Sequence, residues 1–232
     1  MTAMSVIEYE GVKTSTALIK ELGLEEHIEG GMRRTTTAAL LLRAAFASSL
    51  RERNLTIDVG LCLGSPGYFV LTDSQDQHIP LPFADEKRRP LATSIYYLLA
   101  YDRPEGKFHM NKSVTYHVLH QGRTEYTLIQ PGNPPTVQKE VMGTNLVSGE
   151  SRLLIVGTGI WKRSQLLEDD MVRAKRGTEE ERDQTNCLIT EVVVPGFDWE
   201  DHKFMRKEDL EVLFRGEVGG EEMIGEFEKW VG

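Results

Sequence analysis

From residue 91 to residue 194 the sequence is a succession of short β-type runs separated by turn residues. The turns include Asp102–Gly106 and Pro131–Pro135. The runs alternate apolar and polar residues or are rich in β-branched and aromatic ones, as in A-T-S-I-Y-Y-L-L-A, S-V-T-Y-H-V-L-H, R-T-E-Y-T-L-I-Q and C-L-I-T-E-V-V-V. Many short strands at a spacing of about 8–12 residues predict a barrel or sandwich. The chain is therefore expected to be mainly β.

Short helices are expected to flank these strands. Residues 14–22 have Thr14 or Ser15 as a cap and Gly23 for the left-handed position after the helix end. Residues 36–53 are rich in Ala, Leu and Arg and are also predicted to be helical. We interpret 36–85 as an inserted region, because turn residues and short β-type runs follow that helix.

Two later segments differ from the strand pattern. Residues 168–184 are strongly charged and carry almost no apolar side chains, which predicts a solvated loop. The last residues place an apolar stripe on one helical face, which we expect to pack on the barrel or on a second subunit. The stripe consists of Met223, Phe227, Trp230 and Val231.

Composition excludes several classes of function. The net charge of −9 argues against a nucleic-acid or anionic-membrane surface, which needs a basic face. The sequence has no long uncharged apolar run, and its first ten residues do not resemble a secretory signal. Its two cysteines provide neither a disulfide framework nor a zinc spacing. These features together predict a cytoplasmic protein.

Five segments in order resemble the cupin superfamily, and within it the cupin-5 branch, long labelled a domain of unknown function. They are L-G-L-E-E-H-I-E-G-G-M-R-R at 22–34, R-P-L-A-T-S-I-Y-Y-L-L at 89–99, F-H-M-N-K-S at 108–113, G-E-S-R-L-L-I-V-G-T-G-I-W at 149–161 and V-V-V-P-G-F-D-W-E-D at 192–201. The resemblance implies a double-stranded β-helix, or jelly-roll barrel, usually assembled as a homodimer. One domain would span 1–232, with the barrel core at about 87–204 and a helical extension at 205–232.

The resemblance also defines the positions at which cupins usually bind a divalent metal, through His-x-His-x3-Glu and a later His. This chain has His109, Asn111 and Thr115 at the first three positions and Lys162 at the fourth. One good ligand of four is too few for a tight site, and a protonated lysine repels a cation. We therefore expect neither a bound metal nor another cofactor.

The remaining candidates are assigned by strand alternation. His117 lies two positions after Thr115 and therefore faces inward with it, whereas His120 faces outward. His78 and His202 are expected to be solvated. His109, His117 and Lys162 are the candidate catalytic residues, with Asn111 and Thr115 as substrate-binding neighbours. Tyr97, Tyr126 and Trp161 are aromatic candidates for the wall of the pocket, although most strand aromatics belong to the core.

Glu29 and Arg33 complete the candidate set. The resemblance implies that their loop crosses the barrel mouth, where Arg33 would grip an anionic or phenolic ligand. A salt bridge at the rim is the structural alternative for this pair. Lys162 makes the predicted pocket more cationic, which also favours such a ligand.

The sequence is compatible with three functions. The first is a metal-independent cupin that catalyses a non-oxidative step on a small organic molecule, such as isomerisation, epimerisation, dehydration or cyclisation, in secondary metabolism. Histidine would act as acid or base, and Lys162 or Arg33 would stabilise negative charge. The second is a non-catalytic binding or storage-like cupin. The third is a metal-dependent oxygenase or isomerase with an unusual ligand set.

Overall fold

The computed structural model describes residues 11–26 and 67–232. Within these residues the chain forms five α-helices and thirteen strands, numbered here in chain order. The helices are α1 (Ser15–Leu22), α2 (Glu168–Arg176), α3 (Glu179–Asp183), α4 (Lys207–Phe214) and α5 (Gly220–Phe227). The strands are β1 (Glu25–Glu26), β2 (Tyr68–Ser74), β3 (His78–Leu81), β4 (Ala84–Pro90), β5 (Thr93–Ala100), β6 (His109–Asn111), β7 (Val114–Gly122), β8 (Thr124–Gln130), β9 (Thr136–Met142), β10 (Leu153–Val156), β11 (Trp161–Gln165), β12 (Asn186–Val194) and β13 (His202–Phe204).

Two antiparallel sheets form the body of the fold. The first has six strands in the order β1-β2-β5-β12-β7-β10, and the second has five in the order β13-β6-β11-β8-β9. Strands β3 and β4 form a separate pair. The non-sequential neighbours within each sheet are those of a jelly-roll barrel, so the predicted mainly β fold with short flanking helices is confirmed.

The barrel sheets include residues before the predicted core boundary at 87. Strand β2, which lies within the segment interpreted as an insertion, pairs with β5 from Tyr68↔Leu98 to Ser74↔Thr93. The predicted helix at 36–53 lies outside the described residues, as do the candidate site residues Glu29 and Arg33.

Apolar side chains between the two sheets form the barrel core. Strand alternation directs Leu119 of β7 and Ile189 of β12 inward, and these two residues are register partners. The cluster consists of Leu99, Leu119, Tyr126, Leu128, Met142, Val156, Leu166, Cys187 and Ile189. This core fills one end of the barrel. Polar residues, among them Thr115 and His117, lie further along the same inward faces.

Helix α1 covers the outer face of the six-stranded sheet. Thr14 caps its start by accepting a hydrogen bond from the Ala17 amide, and Gly23 ends it with φ 64°. The cap at Thr14 and the helix end at Gly23 were both predicted. A threonine oxygen satisfies a free amide of the first turn, and glycine adopts left-handed angles without strain. Leu18 packs against Leu98 and Leu188 of the sheet.

The charged segment after residue 167 forms helices α2 and α3, so the prediction of a loop there was wrong. Acidic residues occupy the first turn of α2 and basic residues its last turn, an arrangement that the helix dipole favours. Thr178 and Glu181 form a capping box at the start of α3. Local charge placement and capping thus stabilise helices that lack an apolar stripe.

The C-terminal helices pack on the outer face of the five-stranded sheet, which is one of the two placements that the apolar stripe predicted. Phe227 is buried with Phe108 of the barrel, with ring centroids 5.4 Å apart. The guanidinium of Arg163 lies 3.4 Å from the centroid of the Trp230 ring. Burial lowers the pKa of Arg163 to about 10. None of the helices in the described parts of the chain is long and apolar enough to span a bilayer.

Replacing Phe227 with alanine is expected to destabilise the fold by about 3–5 kcal/mol, because a fully buried aromatic side chain is lost and a cavity remains. Val218→Ala is the control, since that side chain is fully exposed. Urea denaturation of both variants checks this. Equal midpoints for the two variants would show that α5 does not depend on this packing.

Candidate functional site

Strand β11 directs Lys162 into the barrel. Neighbouring residues of a strand point to opposite faces. Trp161 is therefore buried in the cluster beneath the C-terminal helices, whereas Lys162 faces the interior and is only 1% exposed. Trp161 accordingly does not line the same face as the other candidates.

The Lys162 ammonium makes three close contacts. Its Nζ lies 3.0 Å from Thr115 Oγ1, 3.0 Å from His117 Nε2 and 2.8 Å from Glu191 Oε1. A lysine ammonium has three N–H groups, so each one has an acceptor. We call these four residues, Lys162, Thr115, His117 and Glu191, the ammonium cluster.

The surroundings of His117 assign its tautomer. Its Nδ1 lies 3.3 Å from the carbonyl oxygen of Leu154, which can only accept a hydrogen bond. Nδ1 therefore carries the proton, and Nε2 accepts from Lys162. Glu191 Oε2 lies 3.2 Å from the same Nε2, so the carboxylate faces both the ammonium and the imidazole.

The charges of the cluster follow from burial and from these contacts. Burial lowers the pKa of Lys162, although the Glu191 carboxylate opposes this change. Burial alone would raise the pKa of Glu191, but the Lys162 ammonium holds it well below its ordinary value. Burial and Lys162 also lower the pKa of His117. At neutral pH the cluster therefore holds an ionised Lys–Glu pair and a neutral imidazole, with no net charge.

Glu191 was not among the residues predicted from the sequence. The available signal was the single charged residue of its strand, with inward parity on β12. Its presence corrects the expectation that Lys162 makes the pocket cationic, because the carboxylate neutralises that charge. Glu191 is also the more accessible partner, since its side chain is 15% exposed and that of Lys162 is 1% exposed.

His109 lies opposite Lys162 in the pairing of β6 with β11, and therefore on the same face. Its Nδ1 is 3.0 Å from the Lys107 carbonyl oxygen, to which it donates, so Nε2 carries the lone pair. Burial, followed by the charges of Lys162 and His202, keeps its pKa well below the ordinary value. Both candidate histidines thus neighbour Lys162, each as a neutral imidazole.

Asn111 is buried and accepts a hydrogen bond from His202 Nδ1 at 2.8 Å. His202 was predicted to be solvated, and that prediction was wrong. The histidine lies on β13, directly opposite Asn111. His78 and His120 are exposed, as expected.

The two tyrosine candidates share a neighbour in the barrel. Tyr97 and Tyr126 both hydrogen-bond with Ser164 on the inward face of β11, and burial raises the pKa of each phenol. The ring of Tyr126 also lies 5.0 Å from that of His117. Tyr126 therefore supports the ammonium cluster from the core side.

Comparisons with known proteins establish the family. A family model described as "Cupin superfamily (DUF985)", named Cupin_5, matches residues 64–205. The chain belongs to this family. The Uncharacterized protein YML079W of Saccharomyces cerevisiae is 36% identical over 157 residues, which cover 62% of this chain and 69% of the yeast protein.

Two solved structures have the same fold. A hypothetical protein from Leishmania major has a TM-score of 0.61 and 18% identity, covering 93% of this chain and 98% of its own. Protein SO0799 from Shewanella oneidensis has a TM-score of 0.58 and 17% identity, covering 95% and 98%. The family match makes this protein a cupin, and the two solved structures share its fold.

The side chains of this cupin do not fit the metal that cupins usually hold. Lys162 and Thr115 stand at two of the usual ligand positions, and the Lys162 ammonium donates to the Thr115 hydroxyl at 3.0 Å. Within residues 11–26 and 67–232, no group of three or more His, Cys, Asp or Glu side chains is placed to hold a metal ion. The ammonium thus provides the positive charge at this position.

Lys162→Met is expected to destabilise the protein by about 3–5 kcal/mol, because Glu191 is left as a buried charge without its partner. Lys162→Met/Glu191→Leu should recover most of that loss, since both charges are removed together. Urea denaturation of the wild type, both single variants and the double variant gives the coupling energy. Additive losses would show that the two side chains do not act as a pair.

Acidification should destabilise the protein through its buried histidines. The pKa values of His109 and His117 are lowered, so below about pH 6.5 the unfolded chain binds protons that the folded chain does not. Each histidine then removes up to about 1.4 kcal/mol per pH unit until pH falls through its folded pKa. Glu191, whose pKa is also lowered, adds a loss below about pH 4.5.

Urea denaturation at pH 7 and at pH 5 measures how much unfolding free energy is lost on acidification. His117→Gln should reduce the loss of stability between the two pH values, and His78→Gln, at an exposed position on β3, should leave it unchanged. The same loss in the wild type and in His117→Gln would contradict the assignment of a neutral buried His117.

Proposed function

We propose that this cupin binds a small neutral organic molecule in its barrel and catalyses a metal-independent proton transfer on it. The reaction class is isomerisation, epimerisation, dehydration or cyclisation. The ammonium cluster carries the proposal. It places an ionised lysine, an ionised carboxylate and a neutral imidazole in contact within 3.2 Å on the inward face of a barrel.

His109 is the proposed proton acceptor. Its Nδ1 donates to the Lys107 carbonyl, so Nε2 is the ring nitrogen that can accept a proton from a ligand. The lowered pKa keeps this nitrogen unprotonated at neutral pH, and it also makes the imidazole a weaker base. The Lys162 ammonium, on the neighbouring strand, is placed to stabilise negative charge that develops when the proton leaves.

Glu191 and His117 have supporting roles in this proposal. The side chain of Glu191 is 15% exposed, and its carboxylate is proposed to accept a hydrogen bond from a hydroxyl group of the ligand. His117 is completely buried, so it acts through Lys162 by accepting one of its N–H groups. We therefore treat His117 as a positioning residue, whereas Glu191 is expected to contact the ligand.

Neutral ligands are favoured over anions by the charge of the cluster. Lys162 is already paired with Glu191, and the carboxylate is the more accessible of the two. An incoming carboxylate would meet Glu191 first and would be repelled at close range. Of the two ligand classes predicted from the sequence, the structure therefore supports a neutral phenol or another hydroxyl compound.

A second candidate function is ligand binding without catalysis. Its support is that all three N–H groups of Lys162 already have acceptors in the described chain. Such a cluster can be a purely structural element that fixes β7, β11 and β12 relative to one another. The barrel would then hold a ligand above an inert polar layer.

Deuterium incorporation separates the two functions. The protein in D₂O would be incubated with a panel of neutral hydroxyketones and phenols, and exchange at carbon would be followed by NMR. We expect exchange that falls about 10²–10⁴-fold in His109→Gln, because the proton acceptor is removed. Glu191→Gln should also slow exchange.

The control is His120→Gln, on the outer face of β7. It should exchange at the wild-type rate. Wild-type rates in both His109→Gln and Glu191→Gln would contradict the proposed catalysis. Saturable binding of panel members with no exchange above the protein-free rate would contradict it as well and would support the binding function.

A further inference from the structure

Strand β13 and the segment before it bring aromatic side chains to the barrel beside His109. Phe204 pairs directly with His109, and His202 pairs with Asn111, so both rings lie on the side of β6 that faces Lys162.

Phe197 and Trp199 contact His202 from the preceding segment. We call Phe197, Trp199, His202, Phe204 and His109 the mouth cluster.

The rings of the mouth cluster are packed mostly edge to face. Phe197 and Trp199 have centroids 4.9 Å apart at 88°, Trp199 and His202 5.4 Å apart at 86°, and His202 and Phe204 4.7 Å apart at 77°. This arrangement aligns the positive edge of one ring with the negative face of the next. A further ring can join such a group with the same geometry.

Accessibility distinguishes this cluster from the hydrophobic core. Trp199 is 37% exposed, whereas the two other tryptophans, Trp161 and Trp230, are 4% and 8% exposed. Phe197, His202 and Phe204 are also only partly buried. The chain thus keeps a group of aromatic rings accessible next to its proposed proton acceptor.

A polar group lies close by in the chain. Ser113 follows Asn111 by two residues, at the turn that joins β6 to β7. Its Oγ is buried and has no hydrogen-bond partner in the described chain. A buried hydroxyl without a partner costs free energy unless a ligand or water satisfies it. This observation is independent of the rings, and a ligand or a water molecule bound beside Ser113 would satisfy the hydroxyl.

We infer that the mouth cluster is a binding subsite for a planar ring, so that the ligand of this cupin is a neutral aromatic compound carrying a hydroxyl group. The inference rests on the proposed function for the direction in which the hydroxyl points, toward His109 and Glu191. The ring itself is held by Trp199, His202 and Phe204. The two imidazoles give this subsite polar edges, which suits a ring with a polar substituent.

Phenol and cyclohexanol are a matched pair of probes, because both carry one hydroxyl on a six-membered ring and only phenol is aromatic. Their dissociation constants would be measured by ligand-observed NMR titration. We expect phenol to bind about three- to tenfold more tightly than cyclohexanol, the advantage that one or two aromatic contacts provide. Equal affinities for the two probes would overturn the inference.

Two variants test whether the mouth cluster provides the preference for phenol over cyclohexanol. Trp199→Leu should remove most of the preference for phenol. Tyr116→Leu should leave it unchanged, since Tyr116 is an aromatic residue on the outer face of β7 with the same 37% exposure. Circular dichroism of both variants confirms folding. A preference for phenol that survives Trp199→Leu, or one that Tyr116→Leu also removes, would contradict the assigned position.

The outcomes for the subsite and for the proposed chemistry can be told apart. A preference for phenol that depends on Trp199, without catalysed exchange at carbon, would support the subsite and contradict the chemistry. Exchange that depends on His109, without a preference for aromatic probes, would support the chemistry and contradict the subsite.

Discussion

The buried ion pair between Lys162 and Glu191 is the interaction on which the interior of this barrel depends. It joins β11 of one sheet to β12 of the other, with Nζ and Oε1 2.8 Å apart. Burying two charges costs several kcal/mol per ion, so the arrangement persists only with complete hydrogen bonding. Thr115 and His117 provide the remaining acceptors for the ammonium. The pair thereby also determines the tautomer and the charge of His117.

Along the barrel, the inward-facing side chains around this pair change from apolar to polar and then to aromatic. Apolar side chains with Tyr126 fill one end, and the ammonium cluster follows them. His109 lies opposite Lys162, and the rings of His202 and Phe204 lie beside His109. In the proposed function, a ligand passes these rings and meets the neutral imidazole and the carboxylate before the buried ammonium. We therefore propose a ligand with an apolar ring and a small polar group.

Much of the fold could be predicted from the sequence, because strand alternation and capping are local signals. The inward direction of His117 and the end of α1 at Gly23 are examples. The partner of Lys162 could not be found in this way, since Glu191 lies 29 residues away on a strand of the other sheet. His202 was missed for a similar reason, because only the pairing of β13 with β6 brings it next to Asn111. Contacts between strands thus define the site, and a single sequence does not specify which strands pair.

The protonation state of the ammonium cluster can be measured directly by ¹⁵N NMR of the imidazole and ammonium nitrogens at pH 7. We expect that His117 is neutral with its proton on Nδ1, and that Lys162 is a protonated ammonium with slowly exchanging protons. A His117 with its proton on Nε2, or an imidazolium beside a neutral Lys162 amine, would contradict the assigned charges of the ammonium cluster.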